Sequence, residues 1–150
     1  RVASMDVITR SIKVKARVVT RDEKEVLGVR VLLNYGHTIG HAIESVTGYR
    51  EFLHGEAVSI GMMGAAEISM RLGMMSSQEV DRQRAVLSAY GLPVSWSELD
   101  SDAIIKAMAA DKKMAGGVIK WVLLNGIGRA VTRSDVPENI ILDAFGALRE

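Results

Sequence analysis

At 150 residues the chain has the length of one domain and enough of it to bury a core. Its 48% apolar content excludes a disordered chain, and a formal charge of +1 lacks the strong basic excess of a nucleic-acid binder. With no cysteine there is neither a disulfide framework nor a thiolate metal site, a composition that fits the reducing cytoplasm.

In chain order, valines and isoleucines three to four apart from Val2 to about Val19, with Lys and Arg between them, predict an amphipathic helix. The chain begins inside this helix without an initiator Met or a signal-peptide pattern, a hint of a piece cut from something longer. Asp22 to Gly28 is charged and reads as a turn, and Val29 to Leu33 is apolar. Asn34-Tyr35-Gly36 offers a cap for a helix from His37 to Val46, which Gly48 stops. Leu53 to Leu72 reads as a long buried helix whose small residues (Gly55, Ala57, Ser59, Gly61, Gly64) let neighbouring helices come close. Its longest apolar stretch, Ala57 to Ile68, is interrupted by glycines and Glu67 and is too short to cross a bilayer.

Ser76 with Glu79 forms a capping box for a helix reaching about Tyr90, ended by Gly91 and Pro93. A further helix is expected from Ser101 to about Asp111. Val118 to Leu124 and Arg129 to Thr132 are β-like and flank Asn125-Gly126, a hairpin signal. Ser134 and Asp135 before Pro137 open a last helix to Leu148. The sum is a mainly α, helical bundle-like domain with one small β-hairpin. No GxGxxG loop is present, so nothing here builds a nucleotide site by itself.

All three histidines fall within the segment His37 to His54. His37 and His41, four apart, share a helical face, and His54 opens the next helix after a short turn. Two helices joined this way can bring imidazoles to one point, and zinc engaged in chemistry takes three protein ligands and an open position. Thr38 follows His37 where HExxH has Glu, which argues against a zinc protease. The adjoining glycines also have a plain packing role, and histidines that merely pack are the simplest alternative.

The strings Leu32-Leu33-Asn34-Tyr35-Gly36-His37-Thr38-Ile39-Gly40-His41-Ala42-Ile43-Glu44 and Leu53-His54-Gly55-Glu56-Ala57-Val58-Ser59-Ile60-Gly61-Met62 closely resemble the signature of 3-dehydroquinate synthase. Ile12 to Val19, Asp22 to Glu25, Asp111-Lys112-Lys113 and Gly126-Ile127-Gly128 resemble further parts of that family. The resemblance implies the C-terminal, metal- and substrate-binding half of a two-domain enzyme whose N-terminal α/β domain binds NAD. It implies zinc (or cobalt) held by His37 and His54 with a glutamate that matches no residue of this chain. His41 corresponds to a histidine beside the substrate. Lys15, Arg30, Asn34 and one of Lys112 and Lys113 correspond to residues holding the ligand's hydroxyls or anionic groups. Glu25 corresponds to an acidic residue of the pocket, although one extra residue in Val26-Leu27 shifts the register there. Members of the family are commonly homodimers.

The implied reaction takes 3-deoxy-D-arabino-heptulosonate 7-phosphate to 3-dehydroquinate and phosphate, in the shikimate pathway of aromatic amino acid biosynthesis. NAD oxidises an alcohol, phosphate is eliminated, the ketone is reduced back, and an intramolecular aldol closes the ring. A substrate with a carboxylate and a phosphate calls for Arg30 as a fork of donors and for Lys15 and Lys112 or Lys113 as point charges. His41 is suited to carrying a proton. Ordinary roles exist for each: lysines on a charged helix are usually solvated, Lys112 and Lys113 can complement a helix C-terminus, and Asn34 can be a cap. The eight methionines read as adaptable packing. Alternatives are another sugar-phosphate cyclase such as 2-deoxy-scyllo-inosose synthase, a polyol dehydrogenase of the glycerol dehydrogenase type, and a non-catalytic helical interaction domain. With one ligand and the cofactor domain missing, the isolated chain is expected to be inactive and to bind zinc weakly.

Overall fold

The helix His54–Arg71 (α3) carries apolar or small residues on every side: Ala57, Ile60, Met63, Gly64, Ala65, Ala66 and Ile68 are all buried. A helix without a polar face belongs in a core, and here the other elements are arranged around it. The computed structural model describes residues 5–23, 28–114 and 118–149, with side chains left out over 111–114. In order these are α1 (Met5–Arg21), a 3-10 turn (Arg30–Asn34), α2 (His37–Val46), α3, α4 (Ser77–Ala89), α5 (Ser101–Met114), β1 (Trp121–Leu124), β2 (Ala130–Arg133) and α6 (Glu138–Ala147). The mainly α domain with a single hairpin is what the sequence pattern predicts. α2, α4, α6 and β1 pack on α3, while α5 packs on α2 and α6. No helix among the described residues is long and apolar enough to cross a membrane.

α2 and α3 cross with their backbones almost in contact. A Cβ placed on Gly61 would fall on the Gly36 carbonyl oxygen and 2.8 Å from the Gly40 nitrogen. One on Gly40 would lie 3.0 Å from the Val58 Cα. Gly36 also has φ of 82°, a left-handed conformation that costs glycine little. It is therefore Gly36, and not Asn34, that caps α2; Asn34 ends the 3-10 turn. Gly55, by contrast, meets no close neighbour.

The capping box of α4 forms as expected. Glu79 Oε2 accepts from the Ser76 N–H at 2.9 Å, and Ser76 Oγ accepts from the Glu79 N–H. Glu79 also accepts the Ile127 N–H at 3.1 Å, so one carboxylate holds both the start of α4 and the hairpin loop. That loop spans residues 125–129, with positive φ at Gly126 and Gly128, so Arg129, expected in the second strand, belongs to the loop. β1 and β2 are antiparallel, with Trp121 opposite Arg133 and Leu124 opposite Ala130. Buried Ser69 Oγ accepts the Leu124 N–H and ties β1 to α3. Pro137 is the N-cap of α6 rather than its first helical residue, and Asp135 is committed to Arg133 at 2.6 Å. Of the methionines, Met63, Met75 and Met108 are buried as packing residues, whereas Met5 is exposed.

Gly61→Ala is expected to force α2 from α3 and to destabilise the fold by about 1–3 kcal/mol or more, measured by denaturant unfolding. The N–H groups of Ser76 and Ile127 hold the Glu79 carboxyl below its ordinary value. A lowered folded-state pKa means stability that is present above the unfolded value and lost as pH falls through the folded one. The protein should therefore lose stability as pH drops below about 4.5. Glu79→Gln should melt lower near neutrality and show less of that acid-side decline.

Candidate metal centre

Because α2 starts against α3 at Gly36, the face of α2 bearing His37 and His41 meets the N-terminal end of α3, where His54 stands. Ring centroids are 5.3 Å apart for His37–His41, 5.4 Å for His37–His54 and 5.9 Å for His41–His54. One ring nitrogen from each lies within 4.8 Å of the other two. Imidazoles sharing a zinc at 2.0–2.1 Å stand roughly 3.3 Å apart. Small turns of the exposed His41 and His54 rings would close that gap.

The hydrogen bonds of two rings fix which nitrogen keeps its lone pair. His37 Nδ1 lies 3.3 Å from the Tyr35 carbonyl oxygen, and His54 Nδ1 lies 3.1 Å from Glu44 Oε1. A carbonyl and an ionised carboxylate can only accept. Each Nδ1 is thus the donor, and each Nε2 keeps its lone pair. The His37 imidazole is held below its ordinary pKa, chiefly by desolvation, with the charges of His41 and His54 adding and the Tyr35 hydrogen bond opposing. A neutral imidazole is the form that binds metal. Three imidazoles without thiolate form a donor set suited to zinc or cobalt.

A cavity of about 460 Å³ is bounded by Thr38, His41, Glu44 and Tyr49 on one side and by Ala107, Met108 and Ala110 of α5 on the other. Tyr49 has φ of 59°, a conformation that costs a residue with a Cβ. The last turn of α5 carries Lys112 and Lys113, whose side chains lie outside the described residues. A second cavity, about 590 Å³, is lined by Asn34, Asp22, Lys120, Thr132 and Ser134. The hydroxyl of Thr38, which lines the first cavity, donates at 3.5 Å to the carbonyl of Lys120, which lines the second.

The structure therefore brings together His37, His41 and His54, and puts Asn34 in the neighbouring cavity. Arg30 opens the 3-10 turn, its N–H donating to Asp22 Oδ2 at 3.2 Å. Lys15 is exposed on α1, which packs against that turn. Glu25 lies outside the described residues. Sequence reasoning passed over Glu44, Tyr35 and Lys120. The signal for Glu44 was available: with His37 and His41 it completes an i, i+4, i+7 stripe on α2. The carbonyl of Tyr35 and the position of Lys120 have no such signal.

A family model described as 3-dehydroquinate synthase C-terminal matches residues 2–114. The 3-dehydroquinate synthase of Gloeobacter violaceus is 44% identical over 143 residues, covering 95% of this chain and 39% of the relative. Those of Nostoc punctiforme and Nitrosospira multiformis are each 48% identical, over 90% and 93% of this chain and 37% and 38% of the relative. The chain thus spans about two fifths of the length of the curated relatives it matches. Among solved structures, 2-epi-5-epi-valiolone synthase from Streptomyces hygroscopicus subsp. jinggangensis 5008, with NAD+ and Zn2+ bound, has a TM-score of 0.83 at 27% identity, over 96% of this chain and 39% of that one. A 2-deoxy-scyllo-inosose synthase complexed with carbaglucose-6-phosphate, NAD+ and Co2+ has a TM-score of 0.64 at 28% identity, over 77% of this chain and 33% of that one.

Proposed function

The chain belongs to the 3-dehydroquinate synthase family, and from that premise we propose that it is the metal- and substrate-binding part of a phosphate-eliminating, ring-closing lyase. The substrate proposed is 3-deoxy-D-arabino-heptulosonate 7-phosphate. The observation that carries the reading is the convergence of three imidazoles, two of them with Nε2 left free by acceptors on Nδ1.

In this reading His37 and His54 hold zinc or cobalt, and His41, whose ring lines the adjoining cavity, faces the substrate and passes protons to and from it. When bound, the metal would supply a Lewis acid and NAD a hydride acceptor and donor. The chain has no nucleotide loop, so NAD is assigned mainly to a separate α/β domain of the full-length enzyme. Arg30, Asn34, Lys15 and one of Lys112 and Lys113 are proposed to bind the anionic and hydroxyl groups of the substrate, with Glu25 an acidic residue of the same pocket. Asn34 and His41 line two cavities that the Thr38–Lys120 hydrogen bond links, which suits a substrate with polar groups at both ends. The solved cyclases motivate a second reading, a cyclase acting on a different sugar phosphate, but the curated relatives at 44–48% identity favour the carboxylate-bearing substrate.

His37→Ala and His54→Ala are each expected to weaken cobalt(II) binding by tenfold or more, read from the d–d absorbance on titration. Wild-type affinity in either variant would remove the metal from these residues. For activity, the chain joined to the remainder of the Gloeobacter relative should release phosphate from the heptulosonate phosphate with no net change in NAD. It should do so faster than from glucose 6-phosphate. Net NADH formation without phosphate would indicate a polyol dehydrogenase, and a folded, inactive, metal-free protein would indicate a non-catalytic domain.

A further inference from the structure

His54 is the first residue of α3, and its side chain is 58% exposed, so the packing of its own helix does not orient the ring. The group that meets it is Glu44, on α2, whose side chain is only 11% exposed. A carboxylate withdrawn from water costs free energy unless it is compensated. Among the described residues no Lys or Arg pairs with Glu44, and its carboxylate hydrogen bond is to His54 Nδ1. The other buried glutamate, Glu67, shows the ordinary solution, with Arg71 and Arg84 both at its carboxylate. Glu44 is itself held firmly: its carbonyl, in the last turns of α2, accepts the Tyr49 N–H at 2.8 Å and the Thr47 hydroxyl at 3.2 Å.

Resting on the metal reading given above, we propose that Glu44 is the positioning residue of the centre. By accepting the Nδ1 proton it keeps His54 in the tautomer whose Nε2 lone pair is free for the metal, against the opposite tautomer that a histidine side chain favours in water. Carboxylate partners of this kind orient ligating imidazoles, and their loss costs 10- to 100-fold in metal affinity. Glu44 does for the exposed ring of His54 what the Tyr35 carbonyl does for the half-buried ring of His37.

Two readouts test this, on wild type, Glu44→Ala, Glu44→Gln and the control Glu56→Ala. The control removes the Leu53 N–H···Glu56 hydrogen bond at the start of α3 and leaves the His54 partner in place. The first readout is long-range 1H–15N correlation of the metal-free chain at about pH 8, where imidazoles are neutral. The second is the dissociation constant for cobalt(II), each folded variant being checked by its melting temperature. Wild type should show His54 protonated on Nδ1. Glu44→Ala should move the proton to Nε2 and raise the cobalt dissociation constant by about 10- to 100-fold. Glu44→Gln, whose amide oxygen accepts the same proton, should recover most of both. Glu56→Ala should melt lower and change neither. Retention of the Nδ1 proton in Glu44→Ala, or a loss of stability with cobalt affinity intact, would overturn the proposal. Failure of wild type itself to bind cobalt would sink the metal reading, and the tautomer result would then decide the Glu44–His54 orientation separately.

Discussion

The near-contact of two backbones, α2 against α3 at Gly36, Gly40 and Gly61, is the constraint on which the site depends. Side chains at these positions would push the two helices apart, and with them the imidazoles they carry. The same three glycines hold His37 and His41, which flank Gly40, over the start of α3. Packing and chemistry are therefore one requirement here. The small residues of α3 are not passive filler but the reason that residues from two helices share a point.

The buried acids divide by task. Asp22 gathers the Val29 and Arg30 N–H groups and so shapes the turn that leads to Asn34. Glu67, with Arg71 and Arg84, links α3 to α4. Each is a buried charge matched by donors, and each serves architecture. Glu44 is set apart because its donor is an imidazole of the histidine cluster. Beneath the site the fold is stiffened by polar links that do not enter it: Tyr35 bonded to Gln83 and to the Met62 carbonyl, and Ser59 to the Pro93 carbonyl. Burial raises the Tyr35 hydroxyl well above its ordinary pKa, so it stays a protonated donor at any physiological pH.

Much of the local structure was legible because it depends on neighbours in sequence. The ends of α2, the reciprocal cap of Ser76 and Glu79, and the length of α3 all follow from periodicity and caps within a few residues. Where the reading differed, tertiary or backbone demands had intervened. Asn34 was displaced as cap by Gly36, because the close approach to Met62 and Val58 needs a glycine there. The second strand starts at Ala130 and not at Arg129, whose N–H is taken by the Gly126 carbonyl within the loop. Asp135 was taken by Arg133 instead of capping α6.

The order of residues alone determined a helical domain, one hairpin, and two histidines on one face of a helix with a third at the start of the next. It also carried the motif that places the chain in its family. What it could not determine was the direction in which each ring points, because that is set by partners brought together only on folding. The Tyr35 carbonyl lies two residues from His37, but Glu44 reaches His54 across a turn and a helix crossing. Sequence spacing fixes a helical face, whereas the choice of imidazole nitrogen is a matter of tertiary hydrogen bonding, and only the fold could make it.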